Sequence, residues 1–167
     1  MFLRGASGAG KSELALDLVA RGHQLIADDA VEWRRGARGT VIGHCPPLLR
    51  DLVEIRGLGI LNVRKLYGTA AVARSARLDL VIDLGPVGPD RAQQRLHGRR
   101  GAYPLLGAEL PEISLRRRVG HNLAVLVEAA CRDHRLRLAG YRADEDLVER
   151  QRKSLAGAST RLSGKKS

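Results

Sequence analysis

Gly5-Ala6-Ser7-Gly8-Ala9-Gly10-Lys11-Ser12 is the stretch from which the rest of this chain is read. It fits the spacing Gly, four variable residues, Gly, Lys, and Ser or Thr. Glycines at those positions let the backbone fold tightly, with successive N–H groups turned inward as donors to an anion. The Lys11 ammonium can reach outer phosphate oxygens, the Ser12 hydroxyl suits Mg²⁺, and a helix starting here adds the positive end of its dipole. The flanks agree. Met1-Phe2-Leu3 reads as the end of an apolar strand, and Glu13 to Arg21 as a helix with Leu14, Ala15, Leu18 and Val19 on one side, stopped by Gly22. A strand averages about five or six residues, so a strand this close to Met1 is expected to begin upstream of it.

At 167 residues and 44% hydrophobic content, the chain supports one sizeable core and no second independent domain is expected. Only 3% of residues are aromatic, so the core must rest on Leu, Val, Ile and Ala, which suits parallel strands packed on helices. The formal charge of +11 points to an acidic partner. The arginines are scattered, however, and no aromatic residues interleave with them as stacking platforms, so a solvated basic surface is expected rather than nucleic-acid binding. Cys45 and Cys131 have neither a paired-thiolate spacing nor a histidine cluster, which argues against metal ligation by cysteine. There is no secretory apolar segment and no run of membrane-span length, so a reducing cytoplasm and no membrane partner are expected.

Further along, His23 to Ala27 is an apolar run ending in Asp28-Asp29, and carboxylates at the end of a buried strand are where phosphate-loop enzymes hold Mg²⁺. Val31 to Arg34 and Thr40 to Ile42 read as a hairpin joined through Gly36 and Gly39, with Trp33 packed against it. Leu48 to Ile55 is helix or strand. Val53 to Asn62 alternates into a turn flanked by Gly57 and Gly59, which would put Glu54 and Arg56 on one strand face as a salt bridge or as site residues. Val63 to Ala73 reads as a helix and Leu78 to Leu84 as a buried strand closed by Pro86, Gly88 and Pro89. Asp90 to Gly101, with Arg91, Arg95, Arg99 and Arg100, is a polar basic loop. Ile113 to Val119 reads as a strand. Asn122 to Leu138 is an amphipathic helix with Leu123, Leu126, Val127, Ala130 and Cys131 as its apolar stripe. Ala143 to Leu155 is the last helix, with Asp144, Glu145 and Asp146 in its first turn, and Ala156 to Ser167 is expected to be a disordered basic tail.

With these pieces in order, the chain resembles the catalytic domain of HPr kinase/phosphorylase, in the short form without the N-terminal domain. The resemblance rests on Gly5 to Ser12, on Leu25-Ile26-Ala27-Asp28-Asp29, and above all on Glu54-Ile55-Arg56-Gly57-Leu58-Gly59-Ile60-Leu61-Asn62-Val63. Asn122 to Glu128 and Gly140-Tyr141 resemble the family's C-terminal helices, so the match covers residues 1–155. It implies an α/β phosphate-loop kinase domain of phosphoenolpyruvate carboxykinase-like fold, with a central mixed sheet flanked by helices. It also implies an ATP-dependent serine kinase acting on the phosphocarrier HPr or a related carrier, with Mg²⁺, in the cytoplasm, as a homo-oligomer that is hexameric in the family.

Carried over by position, Gly5, Ala6, Ser7, Gly8, Ala9, Gly10, Lys11 and Ser12 bind the nucleotide phosphates, Ser12 and Glu54 hold Mg²⁺, and Asp29 accepts the serine proton. Lys11, Asp28, Arg56 and Arg95 complete the catalytic set. The family's histidine before the phosphate loop falls upstream of Met1. At Arg116-Arg117-Arg118-Val119-Gly120-His121 only the first Arg and the Gly of the family's dephosphorylation motif match, so the reverse, phosphate-dependent reaction is the less firmly implied. The residues alone also admit a small-molecule kinase, with Asp90 to Gly101 as a lid, or a basic binding protein without catalysis.

Overall fold

Val81-Ile82-Asp83-Leu84-Gly85 forms the strand around which the protein is built, and both Val81 and Ile82 are fully buried. In the computed structural model, which describes residues 1–85, 98–116 and 122–163 with side chains through 155, the strands are β1 (Phe2–Arg4), β2 (Glu32–Arg35), β3 (Val41–His44), β4 (Leu52–Ile55), β5 (Gly59–Asn62), β6 (Ser75–Arg77), β7 (Val81–Gly85), β8 (Arg100–Leu105) and β9 (Ala108–Arg116). The α-helices are α1 (Lys11–Ala20), α2 (Val63–Tyr67), α3 (Leu123–Leu138) and α4 (Ala143–Ser163).

The main sheet runs β1-β7-β9-β8; β1 and β9 lie parallel to β7 on either side of it, and β8 closes the sheet antiparallel to β9. Alternation along β7 sends its side chains to two different cores. Ile82 and Leu84 meet Leu14 and Leu18 of α1, Ile113 of β9, and Ala124 and Val127 of α3. Val81 meets Val41, Leu78 and Leu110, with Phe2, Trp33 and Tyr103 around them, under the small antiparallel sheet β2-β3-β6. A third cluster joins Val19 and Leu25 to Val53, Ile55, Val63, Ala71 and Val72 beneath the β4–β5 hairpin. Each such buried aliphatic side chain stabilises the fold by about 1.5 to 3 kcal/mol. Helix α1 therefore bridges two cores, Leu14 and Leu18 in one and Val19 in the other, which fixes the loop at its start.

The mixed sheet with helices is as expected, but the helices α1 and α3 cover one face and the second sheet covers the other. The β2–β3 hairpin forms with a shift of one or two residues, Glu32 pairing His44 and Arg35 pairing Val41. Four expectations are corrected. His23 to Ala27 is not a strand: Leu25 makes a single bridge to Val72, its N–H donating to the Ala71 carbonyl (2.9 Å) and its carbonyl accepting from Ala73 (2.9 Å). Val63 to Ala73 is not one helix, because Gly68 at φ 88° ends α2 and a 3₁₀ turn, Thr69–Ala71, follows. Leu78 and Leu80 are buried but precede β7, bonded singly to Val41 and Phe2. Arg100 and Gly101, expected in a loop, open β8, which turns at Leu106 and Gly107, both at positive φ, into a β9 that starts at Ala108 rather than Ile113.

Helix α3 keeps its expected bounds, capped by the Asn122 side chain accepting from the Val125 N–H at 3.2 Å. Of its expected stripe, Leu123, Val127, Ala130 and Cys131 pack against the core and Leu126 is exposed, while Ala124 and His134 are buried as well. The last helix continues past Leu155 to Ser163, which takes residues 156–163 out of the tail expected to be disordered. Pro86, Gly88, Pro89, Arg91 and Arg95 of the expected turn and basic loop, and Arg117 to His121, lie outside the described residues.

Candidate functional site

The loop Gly5 to Gly10 leaves the carboxyl end of β1 and runs straight into α1. Gly5 is pressed against β7: a Cβ there would stand 3.1 Å from the Leu84 carbonyl oxygen and 3.2 Å from Leu84 Cβ. Gly8 and Gly10 sit in open space but at φ 72° and 79°, in the left-handed region that favours glycine. No side chain caps α1 at Gly10, so the N–H groups of its first turn are left without a capping side chain, as an anion site requires. Lys11 folds back over the loop, its Nζ donating to the Gly5 and Ala6 carbonyls at 3.3 Å each.

Asp28 is the residue that assembles the site. Its Oδ1 accepts from Ser12 Oγ at 2.9 Å and its Oδ2 accepts from the Glu54 backbone N–H at 3.1 Å. One half-buried carboxylate thus ties the start of α1 to the edge of β4. The neighbouring Asp29 is exposed and makes no bond to the loop among the described residues. Lys11, Asp28 and Asp29 share the wall of a cavity of about 320 Å³ with Leu25, Ile26 and Trp33.

Glu54 lies on the outer face of β4, directly opposite Ile60 of β5, while its neighbours Val53 and Ile55 point into the core. Arg56 falls in the turn after β4, exposed, and makes no ion pair with Glu54 among the described residues. The expected set is therefore brought together in part: Lys11, Asp28 and Asp29 share one cavity wall, Ser12 is bonded to Asp28, Glu54 joins them through its backbone N–H alone, Arg56 stands on the adjoining turn, and Arg95 lies outside the described residues.

Three supports were not legible from local sequence. Arg64 donates bidentately to Asp51, Nε to Oδ2 at 2.6 Å, and the guanidinium holds the Asp51 carboxyl below its ordinary range. This clamps the base of the Glu54 hairpin to α2. His23 and Arg21, just past α1, engage Glu128 of α3 at 3.0 and 3.7 Å, and the His23 hydrogen bond, with Arg21 beside it, depresses the Glu128 carboxyl. Arg4, immediately before the loop, donates to Glu112 of β9 at 2.7 Å and lies over the Tyr103 ring at 5.0 Å. These partners are too distant in sequence to be paired by spacing; only the folded sheet brings them together.

A parallel strand, a glycine loop with an inward lysine, and a helix whose first hydroxyl is held by an aspartate define an α/β phosphate-loop domain. Among the described residues no helix is long and apolar enough to cross a membrane. The sequence profile of the family described as HPr Serine kinase C-terminal domain matches residues 1–151. The chain belongs to that family. It is 45% identical to an HPr kinase/phosphorylase of Azoarcus sp. over 158 residues, 94% of this chain and 50% of the relative. It is 42% identical to one of Caldicellulosiruptor bescii over 156 residues, 93% of this chain and 50% of the relative. The chain spans about half the length of the curated relatives it matches. Among solved structures, the Hpr(Ser) kinase/phosphatase from Coxiella burnetii superposes with a TM-score of 0.77 at 33% identity, covering 87% of this chain and 88% of that one.

Proposed function

We propose that this chain is an ATP-dependent serine kinase that phosphorylates the phosphocarrier HPr or a related carrier and, with inorganic phosphate, catalyses the reverse reaction. The observation that carries the reading is the Asp28 linkage, which joins the phosphate loop through Ser12 to the family's signature hairpin at Glu54. Residues 1–155 form the catalytic domain, of phosphoenolpyruvate carboxykinase-like fold, and the protein works in the cytoplasm as a homo-oligomer.

Loop N–H groups from Gly5 to Ser12 and the Lys11 ammonium hold the nucleotide phosphates, compensating their charge before the reaction begins. Asp29, exposed beside the loop, takes the proton of the acceptor serine as its oxygen attacks the γ-phosphorus and the bond to the leaving ADP oxygen breaks. In reverse the same carboxyl returns the proton to the serine. Arg95 and Arg56 stabilise charge spreading over the transferring phosphoryl group. Ser12 Oγ lies 2.9 Å from the Asp28 carboxylate, and Glu54, tied to Asp28 through its backbone N–H, would add its own carboxylate; these are oxygen ligands of the kind a hard divalent cation such as Mg²⁺ takes. When bound there, Mg²⁺ would neutralise phosphate charge and act as a Lewis acid.

The test is incubation of the chain with HPr, Mg²⁺ and ATP, with phosphoserine read by intact-protein mass spectrometry. Phosphorylation is expected, and Asp29→Asn should lower its rate by about 10²-fold or more while ATP still binds. Absence of phosphoserine with the wild-type chain, or an Asp29→Asn variant as fast as wild type, overturns the proposal.

A further inference from the structure

Among the described residues the two strands of the β4–β5 hairpin pair only with each other, and a lone two-stranded hairpin is marginal in water. Its inner side chains, Val53, Ile55 and Leu61, join the cluster with Val19, Leu25 and Val63. Such apolar burial holds the hairpin down without giving it a direction. Direction comes from polar anchors. One is the Glu54 N–H, which donates to Asp28 at 3.1 Å. A second lies at the base, where Asp51 precedes β4. The Asp51 carbonyl accepts from the Val63 N–H at 2.7 Å, one step beyond the last ladder pair, Leu52 and Asn62. Its carboxylate takes both arms of Arg64, in the first turn of α2, at 2.6 and 3.2 Å. The Asn62 side chain caps that turn by accepting from the Lys65 N–H at 2.9 Å. Asp51 does this at φ 65°, in the left-handed region. Glycine adopts that backbone at least cost, so what Asp51 adds is the carboxylate. With the two side chains 21% and 42% exposed, the pair contributes only modestly to stability. What it supplies is geometry, because a planar guanidinium on two carboxylate oxygens fixes orientation as well as distance.

We infer that Asp51 and Arg64 are positioning residues for Glu54, their fork aiming β4 so that the Glu54 carboxylate stands ready for the divalent cation held with Ser12. The inference rests on the reading of Glu54 and Ser12 as cation ligands given above. A strand tied only at the Glu54 N–H can pivot about that bond. A second tie about 10 Å away, three residues back along an extended chain, fixes its line. A ligand must be held to within about 0.5 Å to bind well, and Glu54 is exposed on the outer face of β4, where its own surroundings do little to hold it. The phosphate loop is fixed elsewhere, by Gly5 against β7 and by Lys11 on the Gly5 and Ala6 carbonyls. The clamp therefore bears on the cation and leaves the grip on the phosphates alone. Arg50 and Arg74 also act on the Asp51 carboxyl, so positive charge is present without Arg64, and the two-oxygen grip is what Arg64 adds. Lysine cannot replace it, because a point charge does not hold both oxygens in one plane.

The experiment is calorimetric titration of the full chain with the non-hydrolysable analogue AMP-PNP, once in EDTA and once with Mg²⁺. The ratio of the two dissociation constants measures what the cation adds, apart from any turnover. Asp51→Gly and Arg64→Gln should each lower that ratio by about tenfold, the low end of what losing a ligand's support costs a metal site, with metal-free binding unchanged. Arg64→Lys should recover only part of it. The double variant should lose no more than either single one, because both remove the same fork. In Asp51→Gly the lost pair is offset by a relieved backbone, so its thermal midpoint should stay close to wild type, which separates lost positioning from lost folding. An unchanged ratio in either single variant overturns the inference, as does an equal weakening of metal-free and Mg²⁺-loaded binding. Glu54→Gln is the control: if its ratio equals that of wild type, Glu54 is no cation ligand and the inference falls with that reading. No acceptor protein is present, so a chain that makes no phosphoserine is a failure of the kinase reading alone, and the ratios still decide the role of the clamp.

Discussion

Replacing Asp28 by alanine should separate the phosphate loop from the hairpin while leaving every core contact in place. The Ser12 hydroxyl loses a half-buried charged acceptor, worth about 1.5 kcal/mol, and the Glu54 N–H loses one it can largely exchange for water, worth about 0.5 kcal/mol. The sum is about 2 kcal/mol, which for a domain of this size lowers the melting midpoint by about 4 to 8 °C. Asp28→Asn keeps one acceptor oxygen and should fall by about half as much. Because the two residues share one bond, Ser12→Ala should cost almost nothing further on the Asp28→Ala background. Differential scanning fluorimetry with and without Mg²⁺ and ATP reads both consequences. Ligand at a hundredfold excess over its dissociation constant stabilises by about 2.7 kcal/mol, and a tenfold weaker site should lose about half of that upshift. A midpoint within 1 °C (roughly 0.3 to 0.5 kcal/mol) of wild type would refute the linkage as a stabilising element. A lowered midpoint with an undiminished nucleotide upshift would refute its connection to the site.

Gly43→Ala should disturb the second sheet, since a Cβ there would lie 2.8 Å from Trp33 Cζ3 and 3.1 Å from Val31 Cγ1. Trp33 stacks edge-on against Phe2 at 5.1 Å and is the only tryptophan, so its emission should shift as stability falls by about 1 to 3 kcal/mol; unchanged emission would mean the ring has room to spare. Acid sensitivity should centre on Glu128 and Asp51. Both carboxyls are depressed in the folded protein, from ordinary values of 4.5 and 3.8. Their contribution is therefore complete above those values and is lost as pH falls through the depressed ones. Thermal midpoints should hold from neutrality to about pH 5 and decline below it, with Glu128→Gln flattening the acid limb; an identical limb in that variant would assign the effect elsewhere.

The parts of the fold readable in advance were those encoded by neighbours in the chain. The loop Gly5 to Ser12, the capped helix at Asn122 and the alternation from Val53 to Asn62 each carry their own local signal, and each folds as that signal implies. What was hidden depended on residues brought from afar. Strand β8 begins in an arginine-rich stretch and contains a proline, so nothing local marks it; it exists because β9 offers an edge from Ala108 to Ile113. On α3, Leu123, Val127, Ala130 and Cys131 meet the core as their spacing implies, and only Leu126 falls outside it, with Ala124 buried in its stead. At the site, the two aspartates are indistinguishable as letters. The structure separates them: Asp28 is consumed in bonds to Ser12 and Glu54, and Asp29 is left facing solvent.

The glycines of the phosphate loop, interchangeable in a pattern, obey different rules of mutational drift. At Gly8 and Gly10 the obstacle to a side chain is handedness alone, roughly 1 to 2 kcal/mol, and asparagine, which visits that region most readily, is the substitution a lineage can pass through. At Gly5 the obstacle is occupied space, because any Cβ runs into Leu84 of β7. The nearest atoms are the Leu84 carbonyl oxygen and Cβ, which stay in place when the rest of that side chain changes, so relief must come from a small shift of the backbone itself. Gly5 is therefore tied to the path of β7, whereas Gly8 and Gly10 are tied only to the local conformation of the loop.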